Sequence, residues 1–142
     1  MEIMDPGALY DGKDFSQQEE LLARHNAQLL HPVIQVSLAR EQIFFDSQTA
    51  LLLQLTLDSG SVRIACRQLG ISYSKGWKML NLLESQLGMR IILRHPGGKN
   101  GGYTEVSPEG KEFLKRCELL VRRIREEGQR IYQEIFADEH TQ

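Results

Sequence analysis

Residues 61–88 read SVRIACRQLGISYSKGWKMLNLLESQLG, and the fold turns on how this stretch divides. Ser61 is a residue type that caps helix N-termini, and it precedes a short run ending at Leu69, with Gly70 where a left-handed residue closes a helix. The connection Leu69-Gly70-Ile71-Ser72 has the length and glycine content of a tight helix–helix turn. Ser72 or Ser74 then opens a longer helix that runs to Leu87 and stops at Gly88. Within it Trp77, Leu80, Leu83 and Leu87 recur at three- and four-residue steps, which predicts one core-facing side with Trp77 as an anchor. Ala65, being small, lets the two helices approach closely.

The flanks extend the same pattern. Upstream, Ser47 is expected to cap a helix to about Asp58, with Leu51, Leu52 and Leu55 on its buried stripe and Gly60 as its stop. Val33, Ile34, Val36 and Leu38, then Ile43, Phe44 and Phe45, predict two short strands in a hairpin. Further back, Ser16 and Glu19 form a capping-box pattern that predicts a short helix over Gln17 to Leu30, ended by Pro32, and Met1 to Asp14 reads as a loose tail. Downstream, Ile91-Ile92-Leu93 and Tyr103 to Val106 predict a second hairpin around the loop Pro96 to Gly102. Ser107 and Pro108 suit the cap and first turn of a final helix reaching Phe136.

In that last helix Leu114, Cys117, Val121, Ile124, Gly128, Ile131 and Ile135 step alternately by three and four, a heptad seam that Gly128 weakens locally. A helix this long outreaches the small domain before it. Leu114, Cys117, Val121, Ile124, Ile131 and Ile135 are therefore expected at the interface of a homodimer, the competing expectation being a helix folded back on its own chain. The sequence thus divides into an N-terminal tail and short helix (1–31), a winged helix-turn-helix unit (32–107), and a dimerisation helix with tail (108–142). The class is mainly α with small β-hairpins.

Composition narrows the function. The chain has 142 residues, 41% hydrophobic and 25% charged, the profile of an ordinary soluble domain. No basic-then-apolar leader opens it, and its longest leucine cluster, Leu51 to Leu53, is far too short to span a bilayer, so a cytoplasmic location and no membrane partner are expected. Cys66 and Cys117 make no metal or redox spacing and read as small buried hydrophobes. His25, His31, His95 and His140 lack ligand spacing, and no nucleophile–base set or carboxylate pair is visible, so neither a metal site, a cofactor nor an enzyme is expected.

The net charge of −2 conceals a gradient. Residues 61–106 hold Arg63, Arg67, Lys75, Lys78, Arg90, Arg94 and Lys99 against Glu84 and Glu105, net +5, while residues 1–60 are net −6. Beyond a Debye length of about 8 Å charges are largely screened, so the local patch is what a phosphate backbone meets. A helix with a basic, hydroxyl-rich N-terminal turn has the dimensions of a major-groove reader, and a hairpin with a glycine-flanked lysine can approach a backbone. The residues expected to contact double-stranded DNA are Ser61, Arg63, Arg67, Ser72, Tyr73, Ser74, Lys75, Lys78, Arg94, Lys99 and Asn100. The competing expectation is a winged helix that serves only as a protein-interaction module. The Gly97 to Gly102 run is no nucleotide loop, because it lacks the Gly-Lys-Ser/Thr ending and joins strand to strand.

Ser72-Tyr73-Ser74-Lys75-Gly76-Trp77, Leu87-Gly88, the Gly97-Gly98-Lys99-Asn100-Gly101-Gly102 wing and Val106-Ser107-Pro108-Glu109-Gly110 together resemble the DNA-binding domain of the molybdate-responsive ModE-type regulators, and more loosely the LysR-type winged helix. The resemblance covers roughly Val33 to Val121. It implies a homodimeric transcriptional regulator with its recognition helix over Ser72 to Leu87 and its wing over Arg94 to Tyr103. Full-length members carry molybdate-binding domains after the long helix, whereas this chain ends at Gln142, so molybdate sensing is not expected to carry over. That leaves constitutive binding, a separate sensor protein or a small ligand at the dimer interface. An alanine-like residue is commoner in the family where Gly76 stands here, which predicts a looser recognition helix.

Overall fold

Four short polar side chains open the helices. Asp46, Ser61, Ser72 and Ser107 each have extended backbone and accept a hydrogen bond from the amide three residues on, at Thr49, Ile64, Lys75 and Gly110. Each satisfies one of the amides that a helix start leaves unpaired, at about 1 kcal/mol apiece. The first cap is Asp46 rather than the expected Ser47, which is the first helical residue. Three helices end on left-handed glycines, Gly60, Gly70 and Gly88, at φ of 71°, 76° and 67°.

The structure, a computed structural model, describes residues 30–97 and 102–137. In chain order its elements are β1 (Leu38–Ala39), β2 (Ile43–Phe45), α1 (Ser47–Ser59), α2 (Val62–Leu69), α3 (Tyr73–Leu87), β3 (Ile92–His95), β4 (Tyr103–Val106) and α4 (Pro108–Ile135). Both hairpins are antiparallel: Leu38 faces Phe45 in the first, and Ile92 faces Val106 and His95 faces Tyr103 in the second. The fold is a winged helix-turn-helix. The expected helix over Gln17 to Leu30 and the tail before it lie outside the described residues, apart from Leu30 itself.

α1 sits at the centre. Thr49 to Gln54 are all buried, not a single stripe, because α2, α3, β2 and β4 pack around this helix. The hydroxyl of its fully buried Thr56 donates through Oγ1 to the Leu52 carbonyl at 2.8 Å, so that polar atom is satisfied. The core continues through Val62, Ala65 and Cys66 of α2, Leu80 and Leu83 of α3, and Ile91, Ile92 and Val106 of the wing. Hydrogen bonds fasten the wing to the helices. Thr104 N donates to the Gly60 carbonyl at 2.8 Å, and one Glu84 carboxylate oxygen accepts from Ile91 N and Ile92 N at 2.8 and 3.0 Å.

α4 departs most from expectation. Leu114, Cys117 and Val121 are buried in the chain's own core, with Phe113 edge-on to Phe45 at 5.0 Å between ring centres. These three residues of the seam are therefore filled within one subunit and are not exposed to a partner. Residues 30–37 form no strand and β1 begins only at Leu38, although Val33, Ile34 and Val36 were expected in one. They lie antiparallel along α4 instead: Tyr132 Oη donates to the Leu30 carbonyl at 2.8 Å and Arg125 Nε to the Ile34 carbonyl at 3.3 Å. Ile34 occupies the space over Gly128, where an added Cβ would stand 2.1 Å from its Cδ1. Gly128 is thus a docking notch for this strap. Ile124, Ile131 and Ile135 remain 38%, 42% and 70% exposed.

Candidate nucleic-acid interface

The recognition helix α3 is fixed by its inner face and offered by its outer one. Gly76, Leu80, Leu83 and Gln86 are buried, while Ser74, Lys75 and Lys78 are exposed, as a groove-reading helix requires. An α-helix turns by about 100° per residue, so Ser74, Lys78, Asn81 and Ser85 share one outward face, and all four are exposed. Lys75 projects from the far flank of that face. Asn81 and Ser85 were not among the expected contacts. The signal for them lies in the i, i+4, i+7, i+11 spacing from Ser74.

Cys66 explains Gly76. A Cβ on Gly76 would stand 2.2 Å from Cys66 Sγ, so the thiol of α2 fills the place an alanine methyl would take on α3. The space of the missing methyl is thus taken by sulfur from across the turn. Burial, slightly offset by Arg63, pushes the Cys66 thiol up, and burial pushes Cys117 to about 12, so both stay protonated and unreactive at neutral pH.

Trp77 packs against the core, as expected of an anchor, but does not reach its interior. It is half-buried at the rim of the core, its ring covered by the Arg94 guanidinium at 3.8 Å from the ring centre. Tyr73, one turn earlier, meets it edge to face at 6.2 Å, and Arg63 of α2 lies 4.2 Å over the Tyr73 ring. Two of the expected DNA contacts, Arg63 and Arg94, are therefore joined through two aromatic rings of α3. Arg67 is exposed on α2 one turn beyond Arg63, and Ser61 uses its hydroxyl oxygen to cap α2, accepting from Ile64 N at 3.1 Å. Ser72 caps α3 in the same way at 3.0 Å from Lys75 N. Lys99 and Asn100, at the wing tip, lie outside the described residues.

The electrostatics follow from where the acids go. Glu84 is engaged by the two wing amides, and Glu105 pairs with His95 at 2.7 Å, the His95 ring stacking on Tyr103. Among the described residues no carboxylate pairs with Arg63, Arg67, Lys75, Lys78, Arg90 or Arg94. These six cations therefore lack a direct ion-pair partner, which leaves them available to a polyanion. Among the described residues there is also no cluster of metal-ligand type and no helix long and apolar enough to cross a membrane.

Comparison with known proteins agrees with this geometry. Residues 49–111 match the family described as bacterial regulatory helix-turn-helix protein, lysR family. The chain is also similar to the transcriptional regulator ModE of Haemophilus influenzae, 28% identical over 83 residues, which are 58% of this chain and 32% of that protein. It is 30% identical over 81 residues to the DNA-binding transcriptional dual regulator ModE of Escherichia coli K12, covering 57% of this chain and 31% of the relative. A third similarity, 30% over 56 residues, is to the molybdenum-pterin-binding protein MopB of Rhodobacter capsulatus, covering 39% of this chain and 21% of that protein. The chain thus spans at most about a third of these curated relatives. The residues matched by the family model, 49–111, run from α1 through α2, α3 and the second hairpin into the start of α4.

Proposed function

We propose that this protein is a sequence-specific, double-stranded DNA-binding regulator of transcription that acts as a homodimer in the cytoplasm. The observation that carries this reading is the outward face of α3. Ser74, Lys78, Asn81 and Ser85 form an exposed polar row on a helix whose opposite side is locked into the core, flanked by cations without acidic partners. Asn can bond adenine bidentately in the major groove and Lys can bond guanine, while hydroxyls serve either base or phosphate. The α3 N-terminus adds backbone amides that favour a phosphate. Similarity to proteins named as ModE transcriptional regulators supports the same reading.

The dimer is supported by what α4 leaves uncovered. This helix of 28 residues is about 42 Å long. Leu120, Ile124, Ile131 and Ile135 stay exposed along one side of it, bounded by the strap on one edge and by Arg116, Arg123, Glu127, Arg130 and Glu134 on the other. Such a row, repeating at helical spacing, fits a second copy of itself.

Replacing Lys75, Lys78 and Lys99 together by Ala tests the DNA reading. Wild-type protein is expected to shift duplex DNA with an affinity that falls steeply as salt rises, because bound lysines and arginines release phosphate counterions. The triple variant is expected to keep its fold and lose the shift. An unchanged shift would remove these lysines from the interface. Stoichiometric recovery of a protein partner, with no DNA retained at low salt, would favour an interaction module instead.

A further inference from the structure

Trp77 stands where the recognition helix meets the wing, and what it holds there is a cation. Arg94 projects from β3 and lays its guanidinium 3.8 Å from the centre of the indole ring. Tyr73 abuts the same indole edge to face, and Arg63 from α2 covers Tyr73 at 4.2 Å. Three separate elements therefore contribute to one continuous stack, guanidinium–phenol–indole–guanidinium. It lies along the flank of α3 beside the exposed row of Ser74, Lys78, Asn81 and Ser85.

The stack is not explained by burial alone. Arg94 is exposed, and neither Arg63 nor Arg94 meets a carboxylate among the described residues. The indole N–H of Trp77 is buried with no acceptor among the described residues, so shape and ring contact, not hydrogen bonding, set the position of that side chain. A guanidinium held by its flat face keeps its in-plane N–H edge available, and that edge matches the oxygens of a phosphate. A long side chain already held in place loses less freedom on binding than one waving in solvent.

Resting on the DNA-binding reading above, we propose that Tyr73 and Trp77 are positioning residues that hold Arg63 and Arg94 as a pair of phosphate clamps, one on each end of the stack. The rings do not touch the nucleic acid. They fix the distance between a cation on α2 and a cation on the wing, and so set the depth and tilt at which α3 enters the groove.

The test is binding of the full chain to a duplex, measured as a function of salt for wild type, Arg94→Ala, Arg94→Lys, Trp77→Phe, Trp77→Leu and the double variant Trp77→Leu/Arg94→Ala. Trp77→Leu is expected to weaken binding about fivefold and to lower the salt slope by about one, as Arg94→Ala does. The double variant is expected to lose no more than Arg94→Ala alone, since the tryptophan acts through the arginine. Trp77→Phe, which keeps a ring, is expected to restore most of the affinity. Arg94→Lys, which keeps the charge and the fold but not the planar face, is expected to bind more weakly than wild type. In the free protein the Arg94 Nε–H resonance is expected to be ring-shifted in wild type and Trp77→Phe and unshifted in Trp77→Leu. Wild-type binding with an unaltered salt slope in Arg94→Ala, full affinity in Arg94→Lys, or losses that multiply in the double variant would each overturn the clamp while leaving DNA binding intact. No duplex binding by wild type at low salt would overturn both.

Discussion

Cys66 and Gly76 are best understood as one packing unit shared by two helices. The thiol occupies the volume beside Gly76, so an alanine at 76 would force the buried sulfur to move. Overpacking of this kind costs about 1–3 kcal/mol, against a helix-propensity gain of about 1 kcal/mol for Gly to Ala. Gly76→Ala is therefore expected to destabilise the wild-type chain by up to about 2 kcal/mol in denaturant titration. In a Cys66→Ala background, where the sulfur is gone, the same change is expected to stabilise by up to about 1 kcal/mol. Destabilisation of equal size in both backgrounds would show that the two side chains do not compete for space. The thiols give a second residue-scale expectation. Burial raises Cys66 and takes Cys117 to about 12, so neither reacts with a thiol reagent in the folded protein at pH 8, and both react once it is unfolded. Rapid native-state labelling would contradict their burial.

At the scale of elements, the boundaries legible in sequence were those written in local chemistry. Ser61, Ser72 and Ser107 as caps and Gly60, Gly70 and Gly88 as stops act within one turn of themselves, and each stands at the helix end where it was expected. Asp46 was missed as a cap because Ser47, equally capable, stands beside it. What local pattern could not supply was the destination of an apolar run. Val33, Ile34 and Val36 read like a strand, but Ile34 packs on α4, nearly a hundred residues away, while Val33 stays exposed and Val36 packs against the core. Likewise the heptad seam of α4 could not say that Leu114, Cys117 and Val121 face the chain's own core while Ile124, Ile131 and Ile135 do not. The division supplies a sharper dimer test. Ile124→Glu together with Ile131→Glu is expected to give a folded monomer by light scattering, whereas Val121→Glu, which buries a charge, is expected to unfold the domain. A persistent dimer in the double variant would place the contact elsewhere. The cap of the recognition helix is testable too: Ser72→Ala is expected to cost about 1 kcal/mol of stability by thermal melting, and no loss would mean that the bond to Lys75 N is unimportant.

Across the whole molecule, charge is sorted by position and not by total. In a chain of net −2, Glu84 is engaged by the wing amides and Glu105 by His95, and Arg63, Arg67, Lys75, Lys78 and Arg94 have no acidic partner among the described residues. The sequence showed the concentration of basic residues but not this sorting, since the partners of Glu84 and Glu105 are set by the folded wing. Nor did it show the arginine–aromatic stack, whose members come from three elements brought together only by the tertiary fold. The central claim is that the Ser74, Lys78 and Asn81 face of α3 reads base sequence. Selection of bound duplexes from a random pool tests it most directly. Wild-type protein is expected to enrich one motif with two related half-sites, and the Ser74→Ala/Lys78→Ala/Asn81→Ala chain is expected to enrich none. Recovery of the same motif by both proteins, or of no motif by wild type, would contradict the account.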